Sequence, residues 1–290
     1  MNEWDSFQKK HGFLICIDSD GCAFDVMDLK HQECFCPAAI EHFSLQPVSR
    51  YARNAWDFVN LYSSTRGIHR LLALERVLDL MEKRREVVER GFQVPRLPSL
   101  REYIAKGLPL SNDGMRQYLS LHPKMEDLAQ TIRWSDDVNA RVAHMVHGVP
   151  PFPNVRESLT LAAKEADIAI VSATQSAALQ REWNEHGLMS FVSIVCGQEM
   201  GTKKACIEAL QKRYDAEHVL MLGDAPGDMT AAHTANALFY PICPGAEVES
   251  WRAFPEYAAK FFSGAYRADE AALIARFLAL LPQTPPWDEV

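Results

Sequence analysis

The chain turns abruptly from apolar to acidic within Phe13–Asp25, which reads FLICIDSDGCAFD. Its apolar beginning, rich in Ile and Leu, predicts a strand over Phe13–Asp18 that is covered on both faces. Asp18, Asp20 and Gly21 follow at the strand end. Two carboxylates one residue apart repel each other, so the pattern predicts a cation close to them.

Four further apolar runs of similar length predict more strands. They are Ile168–Ala173, Phe191–Cys196, Val219–Gly223 and Ala237–Ile242. Segments with helical spacing of apolar residues alternate with these runs, at Asn154–Ala166, Ala177–His186, Lys204–Tyr214 and Asp228–Ala235. An alternation of strands and helices at this spacing favours a parallel α/β sheet.

The stretch between the first two strands, residues 26–149, shows no convincing strand and repeats its apolar residues at helical spacing. Ser135, followed by two aspartates, predicts the start of a helix that ends at Gly148. We therefore predict a discontinuous α/β core, 1–25 and 150–290, interrupted by a mostly helical domain.

Composition argues against several classes of protein. The 290 residues are 48 % hydrophobic and 23 % charged, as in an ordinary globular protein, and the net charge of −8 argues against nucleic acid or a membrane as partner. The N-terminus has no signal-peptide pattern, and seven cysteines at scattered spacing predict reduced thiols and a cytoplasmic protein. Two faint metal pairs, Cys34-x-Cys36 and His144-x-x-His147, lack partners at zinc-site spacing, which favours structural roles.

Polar residues follow the predicted strands where each one ends. They are Asp18 and Asp20, with Gly21 behind them, after the first strand, Ser172 and Thr174 after the second, Lys203 and Lys204 after the third, and Asp224 and Asp228 after the fourth. Ligands of open parallel sheets bind beyond the carboxyl ends of the strands, so these residues are predicted to meet at one edge.

This collection suits phosphoryl chemistry. Carboxylates hold Mg²⁺ through oxygen, and the cation and a lysine neutralise a phosphate dianion. A Ser172 hydroxyl and backbone N–H groups, with Gly21 and Ala173 as candidates, can bind the remaining phosphate oxygens. One carboxylate can attack phosphorus, and a second one two residues on can lend and retrieve a proton.

Four ordered motifs carry a resemblance to a known family. They are Ile17-Asp18-Ser19-Asp20-Gly21, Val171-Ser172-Ala173-Thr174, the lysine, and Leu222-Gly223-Asp224-Ala225-Pro226-Gly227-Asp228. In this order, each after a predicted strand, they resemble the motifs of the haloacid dehalogenase superfamily. The resemblance implies a Rossmann-like, doubly wound parallel core with a helical cap inserted after the first motif.

The resemblance also implies roles. Asp18 would be the nucleophile, and Asp20 the general acid/base that also gives its backbone C=O to Mg²⁺. Asp224 would be a direct metal ligand with Asp18, and Asp228 a ligand or a partner behind it. The aspartate at position 20 is similar to the phosphatase and phosphomutase branch, whereas Cys22 departs from the Thr or Val that is common there.

We therefore expect a Mg²⁺-dependent phosphatase that hydrolyses a small phosphorylated metabolite through an aspartyl phosphate. A β-phosphoglucomutase-like phosphomutase and a non-catalytic phosphoester-binding module are the alternatives. Either lysine fits the third motif, because Ile207 and Leu210 fall at +4 and +7 from Lys203 and at +3 and +6 from Lys204. The position of Lys203 at the helix mouth favours it.

Each candidate also has an ordinary structural explanation. The acids could form solvated turns, and Ser172 could cap the next helix. Arg66, in the basic stretch Ser63–Arg70, is a candidate contact for an anionic part of the substrate. The alternative for that stretch is a corner between helices whose charges are satisfied by local acids such as Glu75.

Overall fold

The computed structural model describes residues 4, 7–215 and 217–288, which form two compact units. One unit comprises the described residues within 1–26 and 148–282. The other comprises residues 27–147 and the described residues within 283–290. The boundaries between the two units fall after residues 26, 147 and 282.

Over residues 27–147 and 283–288, the regular elements of the second unit are all helices. They are a π-helix (Leu29–Phe35), α1 (Cys36–His42), a 3₁₀ turn (Gln46–Val48), α2 (Ser49–Asn60), α3 (Arg70–Lys83), α4 (Arg85–Glu89), α5 (Pro98–Ala105), α6 (Asn112–Leu121) and α7 (Glu126–Met145). Trp56 and Trp134 are fully buried in its core, with ring centroids 6.1 Å apart. None of the helices described in either unit combines the length and apolar composition of a bilayer-spanning segment.

The predicted helix start at Ser135 is wrong. Helix α7 begins at Glu126, and Ser135 lies near its middle. The side chain of Ser135 is buried, and its hydroxyl donates to Asn112 Oδ1 at 2.7 Å. A serine followed by acids also suits a helix interior when a neighbouring helix supplies an acceptor for the hydroxyl. The Ser-Asp-Asp pattern therefore does not mark the start of this helix.

The segment after residue 282 groups with the helical unit, whereas the sequence analysis assigned all of 150–290 to the α/β core. Trp287 explains this difference, because its ring packs edge-on against Phe58 at 5.6 Å. The guanidinium of Arg84 lies 4.3 Å from the Trp287 ring centroid, a cation–π distance.

Within residues 7–215 and 217–282, the other unit contains one five-stranded sheet and six α-helices. Its elements are β1 (Phe13–Ile17), α8 (Val155–Ala162), β2 (Ala166–Val171), α9 (Ser176–Glu185), a 3₁₀ turn (Met189–Phe191), β3 (Val192–Cys196), a 3₁₀ turn (Gln198–Met200), α10 (Lys203–Gln211), β4 (Val219–Gly223), α11 (Pro226–Thr234), β5 (Leu238–Pro241), α12 (Glu247–Phe262) and α13 (Arg267–Ala279). All five predicted strands form, with ends shifted by two residues at most. The predicted parallel α/β fold is confirmed.

The strand order β3-β2-β1-β4-β5 places β1 in the centre, with every neighbouring pair parallel. Leu14–Ile17 are fully buried because both faces of the sheet are covered. From β1, the chain adds β2 and β3 on one side and then β4 and β5 on the other, so β1 and β4 flank the switch point of the strand order. Open α/β sheets bind ligands at such switch points. The backbone bond from Asp18 N to Leu222 O, 3.0 Å long, aligns the ends of these two strands.

Candidate active site

Asp18 and Asp20 lie directly after β1, at the carboxyl edge of the sheet. Asp18 is buried and accepts a 2.8 Å hydrogen bond from the N–H of Ser19 at Oδ1. Asp20 is partly exposed, and its Oδ2 accepts a 3.1 Å hydrogen bond from the hydroxyl of Thr174. The first and second motifs thus meet through their side chains.

The fourth motif reaches the same place. Asp224 follows β4, Asp228 lies in the first turn of α11, and each is 1 % exposed. Asp228 Oδ2 accepts the N–H of Ala225 at 3.1 Å. A Cβ on Gly223 would lie 2.4 Å from both Cβ and Oδ2 of Asp228, so only glycine leaves room for this carboxylate. Burial argues against the solvated-turn interpretation of these acids.

Lys203, the first residue of α10, joins the two acidic motifs. Its ammonium donates to Asp18 Oδ2 and to Asp228 Oδ1, both at 2.5 Å. Lys204 lies elsewhere: its side chain is half exposed, with Glu208 Oε1 3.7 Å from its ammonium. The geometry therefore favours Lys203 over Lys204 as the lysine of the third motif, and its role stays a prediction.

The charges of this cluster are strongly coupled. Burial raises the pKa of Asp18 to about 7; Lys203 opposes the shift, and Asp228 and Asp224 add to it. Burial alone would lower the pKa of Lys203, but Asp18 and Asp228 outweigh burial and raise it above its ordinary value. The lysine is therefore a fixed positive charge, which partly offsets the repulsion among the three acids.

The residues predicted to bind phosphate surround the end of β2. Ser172 is buried, and its hydroxyl oxygen accepts the N–H of Thr174 at 3.4 Å. It does not cap helix α9, whose N-cap residue is Gln175. Ala173 is exposed. The N–H of Gly21 donates to the C=O of Phe24 at 2.8 Å.

That bond occupies the Gly21 amide within its own turn. Gly21 has a φ of +73°, a left-handed conformation that favours glycine, so the turn itself requires this residue. Cys22 follows it and is fully buried; burial raises the pKa of its thiol well above the usual range.

Arg66 lies in the helical unit, where its side chain is buried and donates to the C=O of Leu61 at 2.9 Å. His69 caps α3 by accepting the N–H of Leu71, and burial lowers its pKa to about 4. Arg70 donates to Asn139 Oδ1 at 2.7 Å. These bonds give the basic stretch local structural partners, and a contact of Arg66 with substrate stays a prediction.

The acid named as a local partner for that stretch is engaged elsewhere. Glu75 accepts from Arg101 at 3.0 Å. The bonds of Arg66 and Arg70 therefore fit the alternative explanation, a structural corner between helices. Their acceptors are carbonyl, hydroxyl and amide oxygens, and Glu75 is not one of them.

The donor set suits a hard cation. Within residues 4, 7–215 and 217–288, one group of three metal-ligating side chains comes close enough to share an ion, namely Asp18, Asp224 and Asp228. Their ligand oxygens all lie within 4.8 Å of one another. Oxygen-only carboxylate ligands match Mg²⁺, and they fit it better than a soft metal. The Cys and His pairs of the sequence form no such group among these residues.

Sequence reasoning missed the residue between the two acids. Ser19 is fully buried, and its hydroxyl donates to Glu182 Oε2 at 2.9 Å. It also accepts the indole N–H of Trp183 at 3.0 Å. Its partners lie more than 160 residues away in the sequence, so no local pattern around Asp18 and Asp20 indicated them.

Fold and site together place buried carboxylates and a lysine at the carboxyl edge of a parallel α/β sheet. A family model described as haloacid dehalogenase-like hydrolase matches residues 86–241, more than half of the chain. The chain belongs to this family. The matched region includes the second, third and fourth motifs, and Asp18 and Asp20 lie before it.

Two solved structures are similar to this chain at low sequence identity. One is described as a predicted phosphoglycolate phosphatase from Haemophilus somnus 129PT, with 16 % identity, a TM-score of 0.45, and coverage of 79 % of this chain and 84 % of that chain. Another is a haloacid dehalogenase-like family hydrolase from Xanthomonas campestris, with 13 % identity, a TM-score of 0.47, and coverage of 90 % and 98 %. No curated protein matches the chain in sequence.

Proposed function

We propose that the chain is a Mg²⁺-dependent phosphatase that hydrolyses a small phosphate monoester through an aspartyl phosphate. The observation that carries this proposal is the two hydrogen bonds that the Lys203 ammonium donates to Asp18 and Asp228, inside a buried group of three acids. A nucleophilic carboxylate held next to a fixed cation suits attack on an anionic ester, because the cation reduces the repulsion between the two anions.

Asp18 is the proposed nucleophile. One of its carboxylate oxygens attacks phosphorus, the bond from phosphorus to the ester oxygen breaks, and Asp20 gives its proton to the leaving alcohol. Asp20 then takes a proton from water as that water attacks the aspartyl phosphate, which frees Asp18 and inorganic phosphate. Thr174 fixes the Asp20 side chain by its 3.1 Å hydrogen bond.

Asp18, Asp224 and Asp228 would hold Mg²⁺, with the backbone C=O of Asp20 as a further oxygen ligand. When bound, the metal would supply positive charge that orients and polarises the phosphoryl group. Lys203 supplies a second positive charge from the protein itself.

The remaining phosphate oxygens would be bound at the end of β2. The Ser172 hydroxyl has a hydrogen to donate while its oxygen accepts from Thr174. The N–H of Ala173 has no acceptor among the described residues, so it is available for an incoming anion. Gly21, whose N–H is engaged with Phe24, would contribute its left-handed turn and no phosphate contact.

The proposed substrate is a small phosphorylated metabolite and the proposed compartment is the cytoplasm. All seven cysteines are free, as expected in a reducing compartment. The helical unit is the proposed cap, inserted directly after the first motif.

The test is phosphate release from a panel of small phosphate monoesters, with Mg²⁺ or with EDTA, by wild type and Asp18→Asn. We expect release that requires Mg²⁺ and disappears in Asp18→Asn, because the amide cannot attack phosphorus. Product analysis separates hydrolysis from transfer to a second hydroxyl. Folded wild type that releases no phosphate from any ester would overturn the proposal.

A further inference from the structure

Ser19 places a hydroxyl group in the buried interior. It lies between the proposed nucleophile and the proposed acid/base, fully buried. A buried hydroxyl costs free energy unless it is hydrogen-bonded, so its presence here needs compensating partners. It has two, and both belong to helix α9, more than 160 residues away in sequence.

The direction of both hydrogen bonds is fixed by chemistry. An indole N–H can only donate and an ionised carboxylate can only accept. Trp183 therefore donates to Ser19 Oγ at 3.0 Å, and the hydroxyl hydrogen points to Glu182 Oε2 at 2.9 Å. The hydroxyl is held from both sides in one orientation.

The backbone of Ser19 forms three hydrogen bonds within the loop of residues 18–24. Its N–H donates to Asp18 Oδ1 at 2.8 Å, while Asp18 Oδ2 receives Lys203 at 2.5 Å. Its C=O accepts the N–H groups of Ala23 and Phe24 at 2.9 and 3.0 Å, which closes the turn that contains Asp20. The peptide group that orients the nucleophile is thus anchored by the Ser19 side chain.

Helix α9 also contacts this loop by packing. The Phe24 ring lies 5.6 Å from the Trp183 ring in an edge arrangement. Trp183, which donates to the Ser19 hydroxyl, therefore also packs against the far end of the turn. The loop that precedes α9 supplies Thr174, which holds Asp20.

We propose that Ser19 is a positioning residue, held by Trp183 and Glu182 of α9, that sets the orientation of the Asp18 carboxylate for attack. This inference rests on the proposed phosphatase function. Loss of the Ser19 hydroxyl should lower kcat more than it raises KM, because the proposed phosphate contacts at Ser172 and Ala173 remain.

The experiment compares Ser19→Ala, Trp183→Phe, their double variant and Glu182→Gln with Mg²⁺ and p-nitrophenyl phosphate as probe. Ser158→Ala is the matched control, since Ser158 is also fully buried in the α/β unit and donates to a backbone carbonyl, that of Trp251. Thermal unfolding is measured for every variant.

We expect Ser19→Ala to lower kcat about 10- to 100-fold, the effect of a small misplacement of a reacting group, with KM nearly unchanged. Trp183→Phe should lower kcat in the same direction, and the double variant should be no worse than Ser19→Ala, because both changes remove one shared bond. Glu182→Gln keeps an acceptor and should retain most of the activity. Ser158→Ala should lose stability only.

The result that overturns the inference is a kcat for Ser19→Ala that matches that of Ser158→Ala, or effects of Ser19→Ala and Trp183→Phe that multiply in the double variant. An inactive wild type overturns the phosphatase proposal and the inference with it. Active wild type with an unaffected Ser19→Ala overturns the inference alone.

Discussion

Replacing Lys203 by methionine tests the charge balance of the site. The change removes the ammonium that bonds Asp18 and Asp228 at 2.5 Å and leaves two buried carboxylates without that partner. Removing one member of a buried ion pair costs about 3–5 kcal/mol. Removing a preorganised donor from a reacting centre costs about 10²–10³-fold in kcat. We expect both losses in Lys203→Met.

Lys204→Met is the control, one residue away on the same helix. Its ammonium lies 3.7 Å from Glu208 Oε1, and both side chains are more than 40 % exposed. Such a pair contributes at most about 0.5 kcal/mol. We expect its kcat and its free energy of unfolding to stay close to those of wild type.

The assays are urea unfolding in EDTA and phosphate release in Mg²⁺. Because Lys203 holds down the pKa of Asp18, its removal favours the protonated carboxyl, so the folded variant binds more protons than the unfolded chain. The loss of stability should therefore be larger at pH 8 than at pH 5. Equal effects of the two methionine variants, or loss of activity in Lys204→Met alone, would refute the reasoning.

Three further changes have defined outcomes. Since burial raises the pKa of Asp18 to about 7, Mg²⁺ must displace a proton from Asp18 below that pH. Calorimetry should therefore find that the affinity for Mg²⁺ rises about tenfold from pH 6 to pH 8. An affinity that does not change with pH would count against this prediction. Gly223→Ala forces Asp228 aside and should weaken Mg²⁺ binding in the same assay while costing about 1–3 kcal/mol in urea unfolding; unchanged Mg²⁺ affinity would disprove this. Trp287→Ala should cost about 1–2 kcal/mol of stability through lost packing on Phe58, and Trp287→Phe less; equal losses would show that the ring is unimportant.

The strands were predictable because their residues are apolar on both faces, a pattern typical of a covered parallel sheet, and helical patterns alternate with them. Because the carboxyl ends of parallel strands meet at one edge of the sheet, the strand prediction was enough to bring Asp18, Ser172, Lys203 and Asp224 to that edge. The left-handed residue after helix α9, Gly187, was also foreseeable, since its φ of +62° is typical of a helix C-terminus.

Side-chain direction and long-range partners were not predictable. Lys203 and Lys204 fit the same helical stripe, and only the bonds to Asp18 and Asp228 distinguish them. Ser135 has the sequence pattern of a helix start, but its acceptor is on another helix. The π-helix Leu29–Phe35 depends on bonds five residues apart, such as Cys36 N–H to His31 O, which apolar spacing does not indicate.

Chemical trapping of the aspartyl phosphate tests the central claim most directly. Asp20→Asn should form this intermediate from p-nitrophenyl phosphate, whose good leaving group needs no acid, but should hydrolyse it slowly because the base is missing. Borohydride reduces an acyl phosphate to an alcohol, so we expect peptide mass spectrometry to find homoserine at position 18 only when Mg²⁺ and ester are both present. Phosphate release by wild type without any such modification at Asp18 in Asp20→Asn, or with modification of another residue, would contradict the account.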